Sequence, residues 1–174
     1  MMLPGYAAIK QVIPENSYTK TFVLDAAIPQ ASPGQFVMLW IPGLDEKPFA
    51  IVARDPLTLT VAAVGPFSRA LHQMQPGDHV GWRGPFGRGF DLTGTGQALL
   101  IGGGYGVAAL YFAAEELYKR QVPVTLAVGG RTEQDLLFQE RAQSLGIRFE
   151  MATEDGSRGT RGFVTDAVRE MMEQ

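Results

Sequence analysis

The apolar pattern of this chain changes its period once, near Gly84, and that change constrains the fold more than any other feature. From Tyr6 to about Arg83 the chain reads as short alternating or β-branched runs separated by turn residues, the spacing of an all-β barrel or sandwich. The runs are Tyr6–Ile13, Tyr18–Leu24, Gln35–Ile41, Pro48–Ala53, Leu57–Val64 and Asp78–Arg83, and six strands suit a small closed antiparallel barrel. Ser32-Pro-Gly-Gln35 and Gln75-Pro-Gly-Asp78 place Pro and then Gly at the central positions of a tight turn, where a fixed φ and a positive φ are needed.

Beyond Gly84 the period becomes helical, and Leu92-Thr-Gly-Thr-Gly96 reads as the joint, giving domains 1–94 and 95–174. Ala98–Ile101 is a short apolar strand, after which Val107, Leu110, Tyr111, Ala114, Leu117 and Tyr118 recur at helix spacing. Val124–Val128 is a second buried strand. Thr132 and Asp135 suit the cap of a helix running to Leu145, with Gly146 as its stop. Ile147–Ala152 and Val164–Met172 supply a third strand and a third helix, so this half is expected to be a parallel α/β sheet with three strands and three helices.

Composition excludes several functions. Charged residues make up 19% of 174 and the formal charge is −3, which leaves no electrostatic footprint for nucleic acid or an anionic membrane. No apolar run approaches the roughly 20 residues of a membrane span, and Met1-Met2-Leu3-Pro4-Gly5 has neither the basic stretch nor the apolar core of a signal peptide, so a cytoplasmic address is expected. Cysteine is absent, which removes thiolate zinc, disulfides, cysteine nucleophiles and iron–sulfur ligation. His72 and His79 stand in unrelated settings and read as structural or solvated side chains, so no metal site is expected.

The segment Leu99-Leu100-Ile101-Gly102-Gly103-Gly104-Tyr105-Gly106-Val107-Ala108 passes from a strand through four glycines into an amphipathic helix. Glycines let the backbone approach a pyrophosphate, and the free N–H groups at a helix start favour its charge. The strict G-x-G-x-x-G spacing is not met, because Val107 and Ala109 stand where its last glycine would fall. The second strand ends in Gly129-Gly130-Arg131, without the acid that would meet ribose hydroxyls. Two readings stay open at this point: a dinucleotide loop, and a tight strand–helix turn that needs small residues.

Lys47-Pro-Phe-Ala-Ile51, Gly65-Pro-Phe-Ser-Arg69, Gly84-Pro-Phe-Gly-Arg-Gly-Phe90 and Gly102-Gly-Gly-Tyr-Gly106, in this order after a barrel, resemble the ferredoxin–NADP reductase superfamily over essentially the whole chain. Pro33–Phe49, Thr153-Glu-Asp-Gly-Ser157 and Arg161–Asp166 resemble the branch of electron-transfer subunits of NAD-dependent dihydroorotate dehydrogenase. The resemblance implies an FAD-binding barrel followed by an NAD(P)-binding α/β domain, and FAD-dependent electron transfer between NAD(H) and a redox partner. That partner would be an FMN-containing dihydroorotate-oxidising subunit in pyrimidine biosynthesis or, in related branches, a hydrogenase, sulfide dehydrogenase or NADPH:ferredoxin oxidoreductase. A non-catalytic flavin-binding module is the further alternative.

The resemblance also implies site residues. Lys47, Pro48, Phe49, Ala50 and Ile51 would lie along FAD, with Lys47 in place of the usual Arg and Ala50 in place of the usual Ser or Thr. Lys47 keeps the charge but not the bidentate fork. Gly65, Phe67, Ser68 and Arg69 would form the second FAD segment. Ser68 also reads as a helix N-cap, and Arg69 as either a phosphate partner or a surface charge. Phe49, Phe67 and Trp40 are candidates to touch the ring system. Gly102, Gly103, Gly104, Gly106 and Val107, with Arg131 and Asp155, would bind NAD(P)H.

Superfamily members continue with a Cys-Gly-Pro strand, and the dihydroorotate branch ends in a cysteine cluster for [2Fe-2S]; neither stands in this sequence. In a sheet ordered 3-2-1-4-5 the Ala98–Ile101 strand would then keep one unpaired edge: either the sequence is a truncated product, or a partner or a second copy completes the sheet.

Overall fold

The computed structural model describes residues 4–94 and 96–173. Met1–Leu3, on which the reading of the N-terminus rests, Thr95 in the Leu92–Gly96 joint, and Gln174 lie outside the described residues. Two compact units divide the chain, Met1–Phe90 and Asp91–Gln174.

The first unit is a closed barrel of six strands: β1 (Gly5–Pro14), β2 (Thr19–Leu24), β3 (Phe36–Ile41), β4 (Asp45–Arg54), β5 (Leu57–Ala62) and β6 (His79–Phe86). Their order is β1-β2-β5-β4-β3-β6 and every pairing is antiparallel. Alternation drives Phe22, Leu24, Val37, Leu39, Ile51, Leu57, Leu59 and Val80 into a closed interior, each side chain contributing about 1.5–3 kcal/mol by burial. The Pro-Gly turns form as their residues demand. Gly34 takes φ +89° and Gly77 takes φ +97°, while the N–H groups of Gln35 and Asp78 donate to the carbonyls of Ser32 and Gln75 at 3.1 and 3.0 Å.

Two indoles lie over glycines in register with them, Trp82 over Gly5 and Trp40 over Gly81. Any side chain at Gly81 would overlap the Trp40 ring, so Trp40, a candidate for ring contact, is engaged in barrel packing.

Helix α1 (Pro66–Leu71) follows β5. The expectation that Ser68 caps it needs correction: Gly65 is the N-cap, and Ser68 sits a turn in, its Oγ accepting the Gly65 N–H at 2.9 Å. Pro66, pre-set for the first helical position, starts the helix earlier than the hydroxyl suggests.

The second unit runs β7 (Ala98–Gly103), α2 (Ala108–Lys119), β8 (Val124–Gly130), α3 (Gln139–Ser144), β9 (Arg148–Thr153), β10 (Thr160–Arg161) and α4 (Val164–Met172). Its sheet is parallel, in the order β10-β9-β8-β7. The strand β10, between Gly159 and Gly162, adds a fourth to the three expected.

The helix expected from Thr132 to Leu145 is broken. Thr132 and Asp135 do form a reciprocal cap, the Asp135 carboxylate accepting the Thr132 N–H at 3.1 Å, but it closes only a 3₁₀ turn over Glu133–Asp135. Leu136 is then extended and Phe138 left-handed at φ +66°. Burial decides this: Leu137 and Phe138 are buried, and Phe138 stacks on Tyr111 of α2 at 4.8 Å, a contact that a continuous helix forgoes. Gly146, at φ +79°, ends α3 as expected.

Among the described strands β7 pairs only with β8, and Leu99 and Ile101 stay 37% and 43% exposed.

Candidate functional site

In the barrel, β4 carries the Lys47–Ile51 segment. Pairing with β3 sets Lys47 opposite Leu39 and Phe49 opposite Val37, while Pro48 and Ala50 face the other way, opposite Met38 and Phe36. Phe49 stacks on Phe67 of α1 at 5.8 Å and 29°, so the two flavin segments implied by the sequence meet in space although a whole strand separates them. Gly65, at the head of α1, has nothing within 4 Å of where a Cβ would sit. Arg69 is exposed and makes no ion pair with the described residues. Ile51 turns into the core, and the buried Ser68 hydroxyl is engaged with Gly65.

Lys47 is not free. Its Nζ lies 2.6 Å from Asp45 Oδ2, and both side chains are about half exposed. The hydrogen bond from Lys47, helped by the Glu46 N–H, holds the Asp45 carboxyl below its ordinary range. Beside it, Glu46 accepts a bidentate fork from Arg83 of β6, Nε to Oε1 at 2.6 Å and an Nη to Oε2 at 2.7 Å.

In the α/β unit the candidate residues gather at the C-terminal ends of parallel strands, where open α/β sheets bind ligands. Gly103 is in register with Gly129, and Gly130 with Thr153. The glycines of β7 and its loop divide by role. A Cβ on Gly102 would come 2.9 Å from Leu110 Cδ1 and 3.2 Å from Val107 Cα, so that position is small to seat α2. At Gly104 and Gly106, within the 3₁₀ turn Gly104–Val107, a Cβ would meet nothing within 4 Å. Val107 itself is fully buried.

The loops after β8 and β9 are stitched together. The Asp155 N–H donates to the Arg131 carbonyl at 3.2 Å, the Glu154 N–H donates to Gly130, and the Glu133 N–H donates to Ser157 Oγ at 2.8 Å. The Asp155 carboxylate accepts both the hydroxyl and the N–H of Ser157, at 2.6 and 2.9 Å, and these bonds lower its pKa. Arg131 and Asp155 are thus adjacent, with the Arg131 side chain exposed.

No family model matches the chain. It is 39% identical over 174 residues, its whole length, to a protein of Methanocaldococcus jannaschii assigned as dihydroorotate dehydrogenase B (NAD(+)), electron transfer subunit, and 37% identical over 173 residues to one of the same assignment from Methanothermobacter thermautotrophicus. The chain spans 66% and 64% of the length of these relatives. Among solved structures, that of an NADH-dependent reduced ferredoxin-NADP oxidoreductase superposes on all of the chain and 66% of its own at TM-score 0.87, with 25% identity. The chain belongs to the ferredoxin–NADP reductase superfamily. A ferredoxin NADP+ reductase from Neisseria gonorrhoeae, solved with FAD and NADP bound, shares the fold at TM-score 0.80 and 20% identity, over all of this chain and 81% of its own.

For a ferredoxin–NADP reductase superfamily member, the charged cluster Asp45, Glu46 and Arg83 is what sequence reading overlooks. Asp45 and Glu46 precede Lys47 in plain sight, but their partners depend on strand register, which periodicity does not give. The Ser157–Glu133 link is of the same kind. Among the described residues no group of His, Cys, Asp and Glu is arranged to hold a metal, and no helix is long and apolar enough to cross a membrane.

Proposed function

We propose that this chain binds FAD on its barrel and serves in electron transfer between NAD(H) and a redox partner, as the corresponding part of a dihydroorotate dehydrogenase B electron-transfer subunit. The observation that carries the reading is the Phe49–Phe67 contact, which joins the Lys47–Ile51 and Gly65–Arg69 segments into one surface. That surface fits FAD: Phe49 is a half-buried ring, Gly65 leaves room for close approach, and Arg69 is a cation with no ion pair among the described residues. Lys47 and Arg69 hold the pyrophosphate, Phe49 flanks the ring system, and the Ala50 N–H is the donor available where relatives of this superfamily carry a hydroxyl. Bound FAD supplies hydride exchange with a nicotinamide and onward transfer of single electrons.

Gly102–Val107, Arg131 and Asp155 form the NAD(P)H surface of the α/β unit. Gly104 and Gly106 offer backbone to the pyrophosphate, and the exposed guanidinium of Arg131 meets the ribose end. The chain contains no cysteine and supplies no ligand to a [2Fe-2S] cluster. Its partner in this reading is an FMN-containing catalytic subunit. Assembly with that partner, or as an oligomer, is part of the same reading. Similarity to the NADH-dependent reduced ferredoxin-NADP oxidoreductase supports a second reading, the same flavin role with a different redox partner.

The test is the visible absorption spectrum of the purified chain, with and without added FAD, and identification of the flavin released on denaturation. A yellow protein releasing FAD is expected. A colourless protein that takes up no FAD on titration removes the reading.

A further inference from the structure

We propose that Arg83 is a positioning residue for the flavin surface, clamping the Lys47–Ile51 stretch of β4 from two strands away. The inference rests on the FAD reading above. Arg83 lies on β6 and Glu46 on β4, and both pair with β3, Arg83 opposite Met38 and Glu46 opposite Trp40. The two side chains therefore close diagonally across the outer face of β3 in a two-point fork of 2.6 and 2.7 Å. The same guanidinium sits 5.4 Å above the Phe86 ring, which lies 5.8 Å from Phe36, and Phe36 is opposite Ala50. Arg83 thus touches Glu46 directly and reaches Ala50 through two rings, at both ends of the stretch.

The alternation of β4 puts this clamp on the opposite face from Lys47 and Phe49, so it fixes their backbone without occupying ligand space. It also answers a charge problem. Glu46 adjoins the lysine assigned to the pyrophosphate, and a bare carboxylate there opposes an anion; the Arg83 fork neutralises it and holds its carboxyl below the ordinary range. A planar two-point fork fixes orientation as well as charge, which lysine at the same position does not.

The test uses the whole chain with Arg83→Lys, Arg83→Gln, Glu46→Gln and the double Arg83→Gln, Glu46→Gln variant. Amide hydrogen exchange over Lys47–Ile51 is measured without flavin, and FAD affinity by titration. Faster exchange confined to this stretch is expected in each variant, with FAD binding weakened up to about five-fold, the upper end of what a solvent-exposed ion pair contributes. The double variant should bind no more weakly than the worse single one, since both remove the same interaction. Unchanged exchange in Arg83→Lys overturns the clamp whatever FAD does. Faster exchange with FAD affinity equal to wild type overturns the positioning role, and Arg83→Lys binding FAD as wild type does leaves charge alone as the cause. Wild-type protein that takes up no FAD fails the flavin reading itself, which the exchange data separate from failure of the clamp.

Discussion

The barrel surface and the strand-end loops of the α/β unit are built by opposite means. In the proposed FAD surface around β4 the candidate residues are charged and aromatic side chains that already have partners: Lys47 is held by Asp45, Glu46 by Arg83, and Phe49 by Phe67. In the proposed NAD(P)H surface at the end of β7 the candidate is backbone, with Gly104 and Gly106 bordered by open space. A side-chain site can be tuned in steps, because each substitution changes one of several contacts. A backbone site tolerates little, because a Cβ enters the volume that the ligand needs.

The largest effect is therefore expected at Gly104. Its φ of +51° belongs to the left-handed region, and valine there pays a local penalty of roughly 1–2 kcal/mol while filling the open side of the loop proposed to take the pyrophosphate. Since nothing lies within 4 Å of the added Cβ, the unit should still fold. Each backbone contact to phosphate that is lost should weaken NADH binding by roughly 1.5–3 kcal/mol. Calorimetry on Gly104→Val with FAD binding intact checks this, and unchanged NADH affinity would make the loop a turn and nothing more.

Removing the two cations proposed to hold the FAD pyrophosphate should have a smaller, graded effect. Lys47→Ala with Arg69→Ala deletes two charge-assisted contacts, and FAD affinity is expected to fall by about 3 kcal/mol, less than additively if the phosphates shift between them. Each single variant should lose part of this and keep the flavin spectrum. A double variant that binds FAD as tightly as wild type would remove both residues from the site.

How much of this was legible in the sequence follows the range of the interactions. The Pro-Gly turns at Ser32–Gln35 and Gln75–Asp78, the alternation of the barrel strands and the strand–glycine–helix passage at Gly102 are settled by residues within a few positions of one another. The break at Phe138 was hidden because it depends on Tyr111, on another helix, and the Glu46–Arg83 fork because it depends on register across β3. The strand β10 is only Thr160–Arg161, too short to carry a period. At Ser68 the residue was legible and its role was not, since Pro66 moved the start of the helix.

His72 gives a stability effect that belongs to the barrel alone. Its Nε2 lies 2.8 Å from the Val61 carbonyl, and Lys20 Nζ donates to the His72 backbone carbonyl at 2.7 Å. Burial depresses its pKa against the opposing Val61 hydrogen bond, with the Lys20 charge adding to the depression. Above the unfolded value of about 6.5 both states are neutral. As pH falls below it, the unfolded chain takes up a proton that the folded barrel resists, so stability declines until the depressed folded value is passed. Melting curves from pH 7.5 to 5.5 should show a shallower decline for His72→Gln than for wild type. Equal slopes would mean that His72 does not titrate differently on folding.

The smallest expected effect sharpens the contrast most, because it concerns a partner already in place. Asp45 holds Lys47 at 2.6 Å, so in the proposed site an FAD phosphate would compete with a carboxylate for the same ammonium. Asp45→Asn removes the competitor's charge, and FAD should bind modestly more tightly. Exposed pairs are weak and are screened by salt, so the gain should shrink as ionic strength rises. Because the hydrogen bonds from Lys47 and Glu46 lower the Asp45 pKa, the carboxylate stays ionised throughout the neutral range and releases Lys47 only as pH falls through that lowered value. The gain should therefore be constant between pH 6 and 8. Weaker FAD binding in Asp45→Asn would show that Asp45 orients Lys47 toward the phosphate instead of withholding it, making the Asp45–Lys47 pair a part of the site.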